Sequence, residues 1–226
     1  MRDAIATIHA ALDRGINLVD TAAVYGFGAS ETIVGKALAG GRRDKAIIAT
    51  KATLEWDADG NVVRNGTRRL QTDRIDIYQV HWPDPLVPIE VTAGAMKDLL
   101  DSGKIRGGGV SNYSAEQMER FARVCPLHTS RPPFNLFERD AENEILRYCA
   151  AHGVNALTYG ALCRGLLSGR MSKETQFRGD DLRVYVESAI DFHVDAAARA
   201  EIDSIIEVCV PDPIGPEFMA PGVREA

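Results

Sequence analysis

The sequence has little cysteine, no long apolar run and no excess of positive charge. Its four cysteines, Cys125, Cys149, Cys163 and Cys209, form no CxxC pair. No segment approaches the roughly 20 apolar residues that span a bilayer. The N-terminus lacks the uninterrupted apolar core of a secretory leader. These absences predict a reduced, cytoplasmic protein that does not enter a membrane. With 32 acidic residues against 26 basic ones and a net charge of −6, no general attraction to nucleic acid or anionic lipid is expected. The partner expected instead is a small molecule. Nothing in the sequence indicates an oligomeric state.

What is present suits one α/β domain over residues 1–226: 45% of residues are hydrophobic and 26% charged. Short apolar runs recur, and each stops at a polar or aromatic residue. The stops are Asp20, Lys51, His81, Asn112 and Tyr159, with a weaker one at Asn135, at intervals of 31, 30, 31, 23 and 24 residues. That is the period of a strand-plus-helix unit. In a parallel barrel the C-terminal ends of the strands converge on one mouth. Asp20, Lys51 and His81, with Tyr25 from the loop after Asp20, are therefore expected to share a pocket.

In chain order, an amphipathic helix is expected over 2–14, ended by Gly15 in a left-handed turn. A strand over 16–19 leads into Asp20–Gly26, and Ser30 is placed to cap a helix running through Leu38. A strand ends at Lys51. The connection from Ala52 to Arg74 reads as loop, with room for a helix only near 67–71. A strand over 75–80 precedes His81, and a helix follows from Ile89 to Ser102. The next strand is Ile105–Val110. Ser114 and Gln117 form a capping-box pair for a helix reaching Val124. A helix over 141–152 and a strand over 154–159 complete the regular pattern. A glycine-rich loop follows, in which Arg164 and Arg170 suit phosphate oxygens. Beyond it the strand pattern fades, through 184–186 and 189–194, to a helix over 195–209 and a Pro/Gly-rich tail. Six strand units are counted, where a closed (β/α)8 barrel needs eight.

Taken singly, the mouth residues have plain readings: Asp20 a turn residue, Tyr25 a loop aromatic, Lys51 a surface cation and His81 a structural neighbour of Trp82. Jointly, at matching strand ends, they read as a set. Cys149 with His152, and Cys125 with His128, have helical spacing but no further ligands, so they read as packing residues and no metal site is expected.

The strings GINLVDTAAVYG, AIIATK, IDIYQVHWPDP, GKIRGGGVSNYS and LTYGALCRGLLSGR resemble the aldo-keto reductase family, in chain order and over most of residues 15–170. The resemblance implies a (β/α)8 TIM barrel and an NADPH-dependent reduction of aldehydes or ketones. It places Asp20, Tyr25, Lys51 and His81 at the family's catalytic tetrad. Ser111 and Asn112 match its nicotinamide-carboxamide contacts and Tyr159 the aromatic stacked on the nicotinamide ring. Gly160, Leu162, Arg164 and Gly165 fall in the pyrophosphate-facing segment. Arg131 stands where the family usually has glutamine, at a cofactor-contacting position, and Phe134 where it usually has tyrosine. The family's N-terminal strand, its longer helix near 67–71 and its motif for the 2′-phosphate and adenine are not recognisable.

On that resemblance, Tyr25 supplies the proton as charge develops on the carbonyl oxygen. Lys51 favours its ionisation, Asp20 fixes Lys51, and His81 orients the carbonyl. The chain has no redox group of its own, so a nicotinamide is implied. Substrate specificity falls to loops and the tail, where Phe218 and Met219 are candidates. Two other readings stay open: a truncated, non-catalytic relative used for binding or assembly, and an aldolase with Lys51 as Schiff-base nucleophile.

Overall fold

A computed structural model describes residues 1–53, 69–169 and 175–176. Arg170, the 184–194 pattern, the 195–209 helix, Phe218 and Met219 lie outside the described residues, as does most of the 52–74 connection. The described part of that connection includes helical residues Arg69 and Leu70.

Six strands form one sheet: β1 Leu18–Asp20, β2 Ile47–Ala52, β3 Ile75–Val80, β4 Ile105–Ser111, β5 Thr129–Arg131 and β6 Asn155–Ala156. All neighbours are parallel, and spatial order equals chain order. Each return to a parallel neighbour needs a crossover. Helices α2 (Ala29–Leu38), α3 (Ile89–Asp101), α4 (Ala115–Ala122) and α5 (Ile145–His152) lie in four of these connections, and α1 (Arg2–Asp13) precedes β1. The six strand units counted in the sequence are thus found, as the wall of a partial (β/α)8 barrel.

The wall is curled. In a flat sheet β1 and β5 would lie roughly 19 Å apart, four spacings of about 4.8 Å. Yet Arg131 at the end of β5 donates to Asp20 at the end of β1 over 2.9 Å. Two side chains cannot bridge that span unless the strands bend round a common interior. On the outer face, Ile48, Val80 and Val110 are buried with Met96, Met118 and Phe121 from α3 and α4. On the inner face the register aligns Lys51, Gln79, Gly109 and Thr129 in one row across β2–β5.

Local signals held at several ends. Gly15 takes φ +85 after α1, and Ser114 and Gln117 form the reciprocal capping box at the head of α4. Three expectations differ. Ser30 does not cap α2: the loop enters through left-handed Gly26, Phe27 and Gly28, Gly28 takes the cap position, and Ser30 Oγ instead meets Thr21 Oγ1 at 2.8 Å. The helix expected over 141–152 is a 3-10 turn, Asp140–Glu142, followed by α5, with Glu144 off the helical backbone. The strand expected over 154–159 is two residues of ladder, with Tyr159 adding a separate bridge to Pro133.

The chain divides into two compact units after Ala161, and all six strands belong to the first. In the second, Cys163, Arg164 and Gly165 follow one another at positive φ within a 3-10 stretch, Cys163–Ser168.

Candidate active site

Asp20 is the last residue of β1, Lys51 the penultimate residue of β2, and His81 follows the end of β3. Parallel pairing puts all three at the same end of the sheet. The loop after Asp20 brings Tyr25 back over them. Lys51 is 2% exposed, and its ammonium donates to Asp20 Oδ1 at 3.0 Å, Asp20 Oδ2 at 3.2 Å and the Thr21 carbonyl at 2.8 Å. Three acceptors match an ammonium's three protons. A Schiff-base nucleophile would need that amine unprotonated, so the aldolase reading finds no support in this geometry. Lys51 Nζ lies 5.0 Å from the Tyr25 ring centroid, and the Tyr25 and His81 rings meet edge to face at 6.1 Å. All four predicted residues come together.

Burial acts on Lys51, His81 and Tyr25. The Lys51 ammonium is pushed below its ordinary pKa, chiefly by loss of water, against the pull of Asp20. His81 is pushed down to about 4, by burial first and by the Lys51 charge second, so its ring is neutral near pH 7. The Nδ1 atom of His81 is buried and has no hydrogen-bond partner among the described residues. Tyr25 runs opposite to the sequence expectation. Burial, and then the Asp20 carboxylate, hold its phenol above the ordinary value. The cation working against them is Arg131. Loss of water comes first among these causes, and Asp20, although ion-paired with Lys51 at 3.0 Å, adds to it.

Arg131 was read from the sequence only as a cofactor-side residue. Here its Nη1 and Nη2 reach the two oxygens of Asp20, both at 2.9 Å, while Nε donates to Gln79 Oε1 at 3.2 Å. Gln79 was missed. Its one signal was position, two residues before His81 in a strand buried on both faces.

A second cluster adjoins the first. Ser111 Oγ donates to the Arg131 carbonyl at 3.0 Å. Asn112, held at φ +60, donates from Nδ2 to the His81 carbonyl at 3.0 Å and to Ser111 Oγ at 3.1 Å. Tyr159 OH donates to Asn112 Oδ1 at 2.8 Å. An asparagine tolerates the left-handed region better than most residues. This kink lets one amide tie the ends of β3, β4 and β6. Gly160, at φ +76, gives its carbonyl to Asn135 Nδ2 at 3.0 Å. Leu162, Arg164 and Gly165 lie in the second unit, where Gly165 N–H donates to the Leu162 carbonyl at 2.9 Å. Cys149 is buried, and His152 bonds the Tyr148 carbonyl and stacks on the Tyr148 ring.

The family model described as the aldo/keto reductase family matches residues 1–210. The chain is 42% identical to aldo-keto reductase YhdN of Bacillus subtilis, over 99% of this chain and 89% of that protein. The aligned span of 296 positions exceeds the 226 residues here by 70, so YhdN carries positions with no counterpart in this chain. Among solved structures, glycerol dehydrogenase AKR11B4 from Gluconobacter oxydans superposes with a TM-score of 0.73 at 37% identity, covering 96% of this chain and 88% of that one. An aldo/keto reductase from Klebsiella pneumoniae, in complex with NADP and acetate, gives 0.64 at 30% identity, covering 83% and 66%.

Proposed function

The chain belongs to the aldo-keto reductase family of oxidoreductases, and on that premise we propose that it reduces aldehydes or ketones to alcohols with NADPH, with Tyr25 as general acid. The observation carrying this reading is the cluster at the strand ends. Lys51 Nζ lies 3.0 Å from Asp20 and 5.0 Å from the Tyr25 ring, with the His81 ring beside that ring at 6.1 Å.

The residues present suit a nicotinamide. Ser111 Oγ and Asn112 Oδ1 each keep a lone pair for a carboxamide N–H beside their present partners, and Tyr159 offers a flat ring at the same end of the sheet. In the second unit, taken by itself, the left-handed run Cys163–Gly165, with Arg164, suits phosphate oxygens. The preference for NADPH over NADH rests on the family resemblance and on the NADP bound by the Klebsiella relative. When bound, NADPH supplies the hydride. Tyr25 keeps 41% of its surface open, so its hydroxyl can reach a carbonyl oxygen and protonate it as charge develops there. Neutral His81 can donate an N–H to the same oxygen without competing for the proton. Lys51, anchored on Asp20 and Thr21, stays beside the phenolate that Tyr25 becomes.

The test is absorbance loss at 340 nm with NADPH, and separately with NADH, against a panel of aldehydes and ketones. Tyr25→Phe should lower turnover by about 10²–10⁴-fold, the range for a lost general acid, while NADPH still quenches protein fluorescence. Full turnover in that variant would sink the assignment.

A further inference from the structure

Arg131 stands apart from the tetrad, yet its side chain is only 10% exposed and is paired with Asp20. The groups facing Tyr25 come from five elements: Asp20 at the end of β1, Lys51 on β2, His81 after β3, Arg131 on β5 and Tyr159 after β6. With His81 neutral, Asp20 offsets one of two cations. The cluster is left with one net positive charge. A glutamine at position 131, as is usual in the family, would leave it with none.

Resting on the reductase reading above, we propose that Arg131 is a positioning residue: its guanidinium clamps both oxygens of Asp20 and supplies a net positive charge that stabilises Tyr25 once its proton has gone. Three observations carry this. The fork is bidentate, with both distances 2.9 Å, the strongest geometry for holding a carboxylate. The remaining edge is anchored, since Nε bonds Gln79, whose own amide is held by Thr129 at 3.0 Å. Arg131 is also the cation that opposes burial and Asp20 at the Tyr25 phenol. A guanidinium keeps its charge across the working pH range. The arrangement therefore biases the general acid at every pH at which the enzyme operates. The role differs from a carboxamide contact in its readout, because it acts on the Tyr25 phenol whether or not a nucleotide is bound.

The test is titration of Tyr25 in the protein without added nucleotide. Phenolate absorbance is followed against pH, and the Tyr25 component is the difference between each protein and its Tyr25→Phe counterpart. Arg131→Gln and Arg131→Met should move that component upward by about half a unit or more, while Arg131→Lys, which keeps the charge, should leave it near wild type. In the wild type the same ionisation should set the alkaline limb of kcat for carbonyl reduction, and the neutral variants should carry that limb upward with it. Arg131→Met keeps length and burial without a polar head to satisfy, so it serves if the glutamine variant does not fold. An unchanged Tyr25 ionisation in the neutral variants overturns the proposal, as does a lysine variant that shifts as far as glutamine. Loss of NADPH affinity with an unmoved phenol assigns Arg131 to the cofactor instead and also overturns it. If the wild type reduces no carbonyl but the phenol shift is present, the functional reading has failed and the electrostatic role has not.

Discussion

Gln79 on β3 donates to Thr129 on β5 at 3.0 Å, across the strand between them. The residue of β4 in register with both is Gly109. A methyl group there would stand 2.0 Å from Thr129 Oγ1 and 2.8 Å from its carbonyl oxygen. The missing side chain is what lets the two neighbouring strands touch over β4. Gln79 then holds Arg131, and Arg131 holds Asp20.

Gly109→Ala should therefore damage both fold and site. The overlap with Thr129 involves backbone as well as hydroxyl, so overpacking of at least about 1–3 kcal/mol is expected. Chemical denaturation should show a lower midpoint. A double variant, Gly109→Ala with Thr129→Ala, should recover only part of the loss, since the carbonyl contact remains.

Removing Asp20 should cost more stability than removing Lys51. Asp20→Ala leaves two buried cations facing each other with no carboxylate between them, a loss of roughly 3 kcal/mol. Lys51→Met leaves Asp20 still paired with Arg131. Equilibrium unfolding in urea compares the two, and an Asp20→Ala midpoint at or above that of Lys51→Met would contradict the expectation.

His81 should make the fold acid-sensitive. Its pKa is about 4 when folded against 6.5 for the free side chain, so the unfolded chain binds the proton more readily. Its contribution to stability is complete above about pH 6.5 and is lost as pH falls toward about 4. Between pH 7 and pH 5 the melting temperature of the wild type should fall further than that of His81→Gln. Equal falls would mean that His81 is not held neutral.

Gly35→Ala weighs two effects on α2. Helix propensity favours alanine by about 1 kcal/mol. Against that, the added methyl would stand 2.6 Å from the Leu70 carbonyl oxygen and 2.8 Å from that of Arg69. Backbone cannot yield cheaply, so a net loss of about 1–2 kcal/mol is expected. The helix also carries Glu31, fully buried, which accepts from Thr50 and from Arg69, both at 2.8 Å. The displacement should therefore weaken that pair as well. A melting temperature at or above that of the wild type would show that α2 can slide away from Leu70.

The sequence by itself determined what contiguous residues can encode. Short apolar runs, turn glycines, the Ser114–Gln117 pair and the motif strings are local patterns, and they located the strands, several helix ends and the family resemblance. That Asp20, Tyr25, Lys51 and His81 would come together was legible for the same reason. Asp20, Lys51 and His81 stand at strand ends and Tyr25 in the loop after Asp20, and parallel order then brings those ends together without any knowledge of side-chain contacts. Tertiary structure alone decided which charges meet. Arg131 and Asp20 are 111 residues apart, and Gln79 and Thr129 are 50 apart. Their contact depends on strand register, on the empty space at Gly109 and on the curl of the sheet. None of these leaves a mark within a short window of sequence. The field at Tyr25 depends on all of them, because a charge acts through distance and the charges nearest it. Only the folded chain sets that distance and shows Asp20 shared between Lys51 and Arg131.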